Sequence, residues 1–209
     1  MKKLESSLTN MVLVLTGVAV IMGGILALVN HMTEGPINAQ KAKTLADGIK
    51  TVMCVNDITV SRTDTVKQND AKGKELTYII YQTQDAQGKD LGAAVESTTG
   101  GFGGDLKVLV GFDSEGNILG YTLLEHAETP GLGAKADKWF QKGEKGDIIG
   151  KNPKEPLTVS KDGGQVDAIA ASTITSRAFL LAVNRAYNAY KDIPATDAET
   201  GATKQVKEE

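Results

Sequence analysis

The chain has 209 residues, 41% of them hydrophobic, and its 23 Lys and Arg against 26 Asp and Glu give a formal net charge of −3. With no basic patch it offers nucleic acid none of the counter-charge that a phosphate backbone requires. A single cysteine, Cys54, excludes an intrachain disulfide and a cysteine-ligated cluster, and two histidines, His31 and His126, leave no zinc cluster or histidine-based hydrolase in view.

Residues 1–10 form a short tail that carries Lys2 and Lys3. Residues 8–30 contain no charged side chain, and 11–29 are almost wholly apolar. A hydrocarbon core about 30 Å thick needs roughly twenty helical residues, so 11–30 is predicted to be a transmembrane helix. The competing reading is a secretory signal, whose apolar core is shorter, about 7–15 residues, and ends in small residues at a cleavage site. Ala27-Leu28-Val29 is a poor site of that kind. Lys2 and Lys3 lie close before the span while Lys41 and Lys43 follow at a distance, a balance that leans towards a cytoplasmic N-terminus. His31 falls at the membrane edge, and the span itself holds no acidic or basic residue that could carry an ion.

Residues 31–74 read as a juxtamembrane helix and a lead-in to the domain, with Ala42, Leu45, Ala46 and Ile49 on one face of a helix over 38–51. The domain itself is placed at 75–191. Extended stretches are predicted at 76–82, 91–96, 106–112 and 118–124, separated by short turns such as Asp85-Ala86-Gln87-Gly88-Lys89 and Asp113-Ser114-Glu115-Gly116-Asn117, which imply antiparallel neighbours. A short helix follows at 134–141, with Trp139 and Phe140 packing on the sheet, then strands at 157–160 and 166–169 around Gly163-Gly164. Phe179, Leu180, Val183, Ala186, Tyr187 and Tyr190 recur at spacings of three and four and define a final amphipathic helix. Residues 192–209 are polar and are expected to be mobile. The fold class is α+β: an N-terminal transmembrane helix, then one domain with an antiparallel sheet and flanking helices.

Three segments of the domain carry candidate chemistry. Asp167-Ala168-Ile169-Ala170-Ala171-Ser172-Thr173-Ile174-Thr175-Ser176-Arg177 crowds four hydroxyls at the start of the last helix. Unpaired N–H groups and the positive end of the helix dipole favour an anion there, and Arg177 adds a positive charge nearby. The plainer alternative is that Ser172, Thr173 and Thr175 only cap the helix. Upstream, Glu128-Thr129-Pro130-Gly131-Leu132-Gly133 is a turn sequence whose backbone could approach a flat ring closely, or an ordinary strand-to-helix connection. Gly100-Gly101-Phe102-Gly103-Gly104-Asp105 is a glycine-rich turn in which Phe102 either covers a ligand or packs on a neighbouring strand. A fourth candidate fails: from Gly146 to Gly150 there are three intervening residues where a phosphate-binding loop has four, and no Ser or Thr follows Lys151, which argues against a nucleotide triphosphatase.

These three segments, in their order along the chain, resemble the FMN-binding domain family. In that family an Asp is followed six residues later by a Thr to which a flavin transferase, drawing on FAD, esterifies the phosphate of FMN; the corresponding positions are Asp167 and Thr173. The resemblance implies covalent FMN on Thr173, an attachment motif that includes Asp167, Ala171, Ser172 and Thr175, and flavin contacts from Glu128, Thr129, Gly131, Leu132, Gly133, Gly101 and Phe102. The chain departs from the usual Ser/Thr-Gly-Ala before the modified Thr by having Ala170, Ala171 and Ser172. Ala171 means either that the turn needs no positive φ or that a small cost is accepted there, and Ser172 becomes a competing hydroxyl.

The function implied is a membrane-anchored electron-transfer subunit with covalent FMN in an Rnf-type ion-translocating ferredoxin:NAD oxidoreductase. No complete active site and no metal site is expected in the chain alone. Its partners would be the other Rnf complex subunits, a flavin transferase for maturation and the lipid bilayer. The implied location is the bacterial inner membrane, single-pass, with the flavin domain periplasmic. The alternatives are the corresponding subunit of a Na+-translocating NADH:quinone reductase, against which the short domain weighs modestly, and a flavin-free anchored assembly or binding protein.

Overall fold

The computed structural model describes residues 8–55, 57–69, 73 and 75–193. Most of the expected cytoplasmic tail and polar C-terminal tail, at 1–7 and 194–209, lies outside them. The chain divides into two compact units, Met1–Thr44 and Leu45–Glu209.

The described part of the first unit is helical. Helix α1, Leu8–Met53, contains an 18-residue window with mean hydropathy 2.7, none of it buried. Leu13, Leu15, Ile21 and Leu26 are each at least 63% exposed. A window that is apolar on every side and unburied among the described residues needs an apolar solvent. The sequence separates the span from a juxtamembrane helix, whereas α1 runs through both. Pro36 lies inside it. Proline withdraws one N–H from the ladder, and the good helix formers Ala39, Lys41, Ala42 and Leu45 that follow sustain the helix beyond it.

In the second unit, strands β1 (Ile58–Asn69), β2 (Glu75–Asp85), β3 (Asp90–Gly100), β4 (Asp105–Phe112) and β5 (Ile118–His126) form one sheet in the order of the sequence, each pair antiparallel. The sequence reading contains four of these strands and omits β1. That strand is an edge, exposed or half-buried throughout, and carries Ser61, Arg62, Asp64, Lys67 and Gln68 among few apolar residues. Polar side chains there cost little and leave no apolar alternation to read.

Each face of the sheet is covered. On one lies α3 (Thr173–Tyr190), whose Phe179, Val183 and Tyr187 pack with Val95, Val108, Val110 and Phe112. On the other, the last turns of α1 place Ile49, Val52 and Met53 against Tyr81, Ala94 and Leu109. Gly111 pairs with Gly120 across β4 and β5 beneath this end of α1, and a Cβ on Gly111 would stand 2.3 Å from the Val52 carbonyl oxygen. Paired glycines let helix and sheet backbones meet there.

The predicted strands at 157–160 and 166–169 reduce to a single parallel bridge, Val159 with Val166. Asn184 on α3 takes the place of a strand partner: its Oδ1 accepts from the Leu157 N–H and its Nδ2 donates to the Leu157 carbonyl, both at 2.9 Å. The helix expected over 134–141 divides into a 3₁₀ turn, Gly133–Lys135, and one turn of helix α2, Ala136–Trp139. Tyr121 holds it to the sheet by donating to the Ala136 carbonyl at 2.7 Å and accepting from the Phe140 N–H at 3.1 Å. Burial raises the pKa of this phenol and keeps it a donor.

Candidate functional site

The site is built where three loops converge: the β3–β4 turn, the loop that leaves β5, and the entrance to α3. They enclose a pocket of about 320 Å³, at the small end of cofactor clefts. Phe102 comes from the first loop, Glu128, Thr129, Leu132 and Gly133 from the second, and residues 171–175 from the third.

Glu128 binds the three together. Only 5% exposed, it accepts through Oε1 from the N–H groups of Phe102 at 2.7 Å and Gly103 at 3.2 Å, and through Oε2 from the Thr175 hydroxyl at 2.7 Å. A buried carboxylate is tolerated when its lone pairs are filled in this way. The glycines beside it are required for space: a Cβ on Gly101 would lie 2.1 Å from Glu128 Oε1, and one on Gly133 would lie 2.3 Å from Oε2.

The hydroxyls at the start of α3 have distinct partners. Ser172 occupies the N-cap position without making a side-chain cap, and its Oγ donates instead to Thr175 Oγ1 at 3.0 Å. Thr175, fully buried, passes its own proton to Glu128. Ser176 Oγ donates to the Ser172 carbonyl at 3.0 Å and accepts from the Ile169 N–H at 2.9 Å. Thr173 differs: half-buried and lining the pocket, it accepts from Lys161 Nζ at 3.1 Å and gives its proton to no acceptor among the described residues. The capping explanation therefore fails for Ser172, and the first N–H groups of α3 are left for another acceptor.

Ala171 has a φ of +57°, so the turn does use the left-handed region and the cost to a residue with a Cβ is accepted. Phe102 is 68% exposed at the pocket rim and is not packed on a neighbouring strand. Arg177 is not free to serve the pocket. Its guanidinium grips the Asp162 carboxylate through two contacts of 2.7 and 2.6 Å, and this hydrogen bonding holds its pKa above the ordinary arginine value.

Three of the sequence-derived residues, Gly101, Gly131 and Asp167, stand outside the pocket lining, Gly101 lying behind Glu128. Gly131, with φ +79°, shapes its own loop and borders a neighbouring groove with Pro130 and Trp139. Asp167 faces outward, where Oδ1 accepts from Ser160 Oγ at 3.1 Å and its carbonyl accepts from Trp139 Nε1 at 2.8 Å. Two residues enter that sequence reasoning missed. Ile174 lines the pocket beside Thr173, and Lys161 approaches the Thr173 hydroxyl. Ile174 lies inside the motif, but Lys161 sits on a turn that reads only as a link between strands.

The arrangement suits a phosphorylated planar ligand. Apolar Phe102, Leu132 and Ile174 line it together with Thr173, whose proton is uncommitted among the described residues, and Lys161 Nζ stands 3.1 Å from that hydroxyl beside the uncapped start of α3. Such a cleft, on an antiparallel sheet with a helix packed across it, suits a small cofactor-binding domain, and residues 101–188 match the family described as FMN-binding domain. The chain belongs to the family formed by the G subunits of ion-translocating oxidoreductase complexes. It is 33% identical to the G subunit from Vibrio cholerae over 180 residues, 83% of this chain and 86% of the relative. The corresponding protein of Shewanella oneidensis is 33% identical over 80% of this chain and 82% of its own length. That of Aliivibrio fischeri is 40% identical over 130 residues, 60% of this chain and 61% of its own.

Proposed function

We infer that the chain is a flavin-carrying electron-transfer subunit of an ion-translocating oxidoreductase complex, and we propose that it holds FMN as a phosphoester on Thr173. The observation that carries the attachment is the proton inventory at the start of α3. Ser172, Thr175 and Ser176 donate to protein acceptors, whereas the Thr173 proton is uncommitted among the described residues. In the transfer, Thr173 Oγ1 forms the bond to the FMN phosphorus while the pyrophosphate bond of FAD breaks, and AMP leaves with the hydroxyl proton. A flavin transferase supplies the FAD and the catalysis.

Bound flavin exchanges electrons singly or in pairs, and so joins partners of different electron number. The chain's own residues bind and shield. Phe102 and Leu132 would cover the ring and shield it from water, Glu128 holds the three loops together, and the start of α3 would face the phosphate. The first unit supplies a single-pass anchor for the bilayer, its apolar window being unburied and long enough to cross the hydrocarbon core. We place the flavin domain on the periplasmic side, among the other subunits of an Rnf-type ferredoxin:NAD complex. A covalent ester suits that compartment, where lost FMN would not be replaced.

Co-expression with a flavin transferase followed by intact mass tests the attachment. The wild-type chain and Ser172→Ala should gain one FMN, and Thr173→Ala none. An unmodified wild-type chain would support the flavin-free assembly reading instead, and an addition that survives Thr173→Ala would move the ester to another residue.

A further inference from the structure

Lys161 is the cation brought to the Thr173 hydroxyl, and the way it is held gives its position meaning. It lies in the middle of a 3₁₀ turn, Ser160–Asp162, which Gly163 closes in the left-handed conformation at φ 83°. Asp162, the next residue, is clamped by Nε and Nη2 of Arg177, and Ser160 Oγ donates to Asp167 Oδ1. The Ser160 N–H also donates to the Val166 carbonyl at 2.8 Å. The two charged residues of the 167–177 segment thus act on this turn and do not touch the pocket. Their common effect is to fix the backbone on either side of Lys161.

A neutral hydroxyl gains little from an ammonium group beside it. A phosphodiester, with one full negative charge, gains a charge-assisted contact of the kind lysine makes with phosphate elsewhere. The turn is therefore prepared for a charge that Thr173 does not itself carry. We propose that Lys161 is the counter-cation of the phosphate on Thr173, both during its transfer and in the finished ester, and that Asp162 and Arg177 are the clamp that positions it. This rests on the reading that Thr173 is the attachment residue. Lys161 is exposed, so it can be replaced without opening the core, and its effect should be screened by salt.

The test uses the full-length chain in detergent with purified flavin transferase and FAD, following attachment by intact mass. At low salt Lys161→Gln should slow attachment about tenfold, the lower range for a hydrogen bond to a charged group. Lys161→Arg should stay within about threefold of wild type, and Arg177→Gln should fall between the two. The gap between Lys161→Gln and wild type should narrow near 1 M salt, where the Debye length is about 3 Å. On chains loaded to completion, the ³¹P resonance of the phosphoester should move in Lys161→Gln and stay near its wild-type position in Lys161→Arg. Attachment by Lys161→Gln at the wild-type rate, or Lys161→Arg as slow as Lys161→Gln, would overturn the proposal. So would a phosphorus resonance unmoved by Lys161→Gln, because the lysine would then serve only contact with the transferase. Thr173→Ala separates the two levels: if it still gains FMN, the attachment reading itself has failed, and if it does not, failure of the lysine variants counts against Lys161 alone.

Discussion

At Ala171 the backbone enters the left-handed region with φ +57°, where a Cβ costs about 1–2 kcal/mol. Ala171→Gly removes that cost and adds about 0.5–1 kcal/mol of chain entropy in return. The variant should therefore be more stable by roughly 0.5–1 kcal/mol in urea unfolding of the detergent-solubilised chain, and an unchanged or lower midpoint would mean that the turn is not strained. Glu128 should show the opposite sign. Glu128→Ala leaves the N–H groups of Phe102 and Gly103 and the hydroxyl of Thr175 without their acceptor, at about 2–4 kcal/mol. Glu128→Gln keeps an oxygen for the two N–H groups and gives Thr175 a donor, which the threonine can answer by turning its own proton towards Ser172. It should cost only about 1 kcal/mol, and equal losses in the two variants would show that charge, not hydrogen-bond count, holds the three loops.

Among the elements, the β4–β5 turn carries a pH signature. Asp113 accepts from the backbone N–H groups of Glu115, Gly116 and Asn117 and from Asn117 Nδ2. Burial pushes its pKa up, but the hydrogen bonds from Asn117, Gly116 and Glu115 together outweigh it and leave the carboxyl below its ordinary value. A carboxyl depressed in the folded state stabilises above its unfolded pKa, about 3.9, and loses that contribution as pH falls through the lower native value. Asp113→Ala should then lower the thermal midpoint by about 2–4 °C at pH 7, with the deficit shrinking in the acid range below about pH 4. A deficit that persists undiminished at pH 2 would rule this out. The elements also show what could be read beforehand. β2 to β5 and α3 declare themselves because their apolar side chains enter a core, those of β2, β3 and β4 on both faces of the sheet and those of α3 at helical spacing. β1 has no such face, and residues 157–169 look like strands because their apolar side chains are buried, while their backbone bonds go partly to Asn184. The pocket loops were legible through their glycines and hydroxyls. Lys161 was not, because nothing in Ser160-Lys161-Asp162-Gly163 tells that Arg177 pins it beside Thr173.

On the scale of the whole chain, the division into units predicts where it can be cut. Removing residues 1–44 takes away the exposed apolar window and leaves the second unit whole. That product should fractionate with the aqueous phase and still gain FMN from the transferase, whereas the full chain should sediment with membranes. Cutting instead after residue 55 removes Ile49, Val52 and Met53 from the smaller core. At about 1.5–3 kcal/mol for each buried apolar side chain, that loss should leave a product that unfolds or aggregates. If both products were equally soluble and cooperative in unfolding, the end of α1 would be dispensable to the domain.

The strand order has a further consequence, for the sequence of events by which the domain comes into being. Each strand of the sheet pairs with the one next to it in the chain, so the hairpins can close one after another as the polypeptide leaves the ribosome or emerges across the bilayer, with little loop entropy to overcome. Helix α3 is the last described element, and its first turn reaches back across the chain to Glu128. Until that helix docks, Thr173 is one hydroxyl among several on an open chain. After it docks, Ser172, Thr175 and Ser176 donate to protein acceptors, and among the described hydroxyls of that turn the Thr173 proton stays uncommitted. With Thr173 as the proposed acceptor, flavin attachment would be tied to completion of the fold, and an unfinished domain would present no selected site.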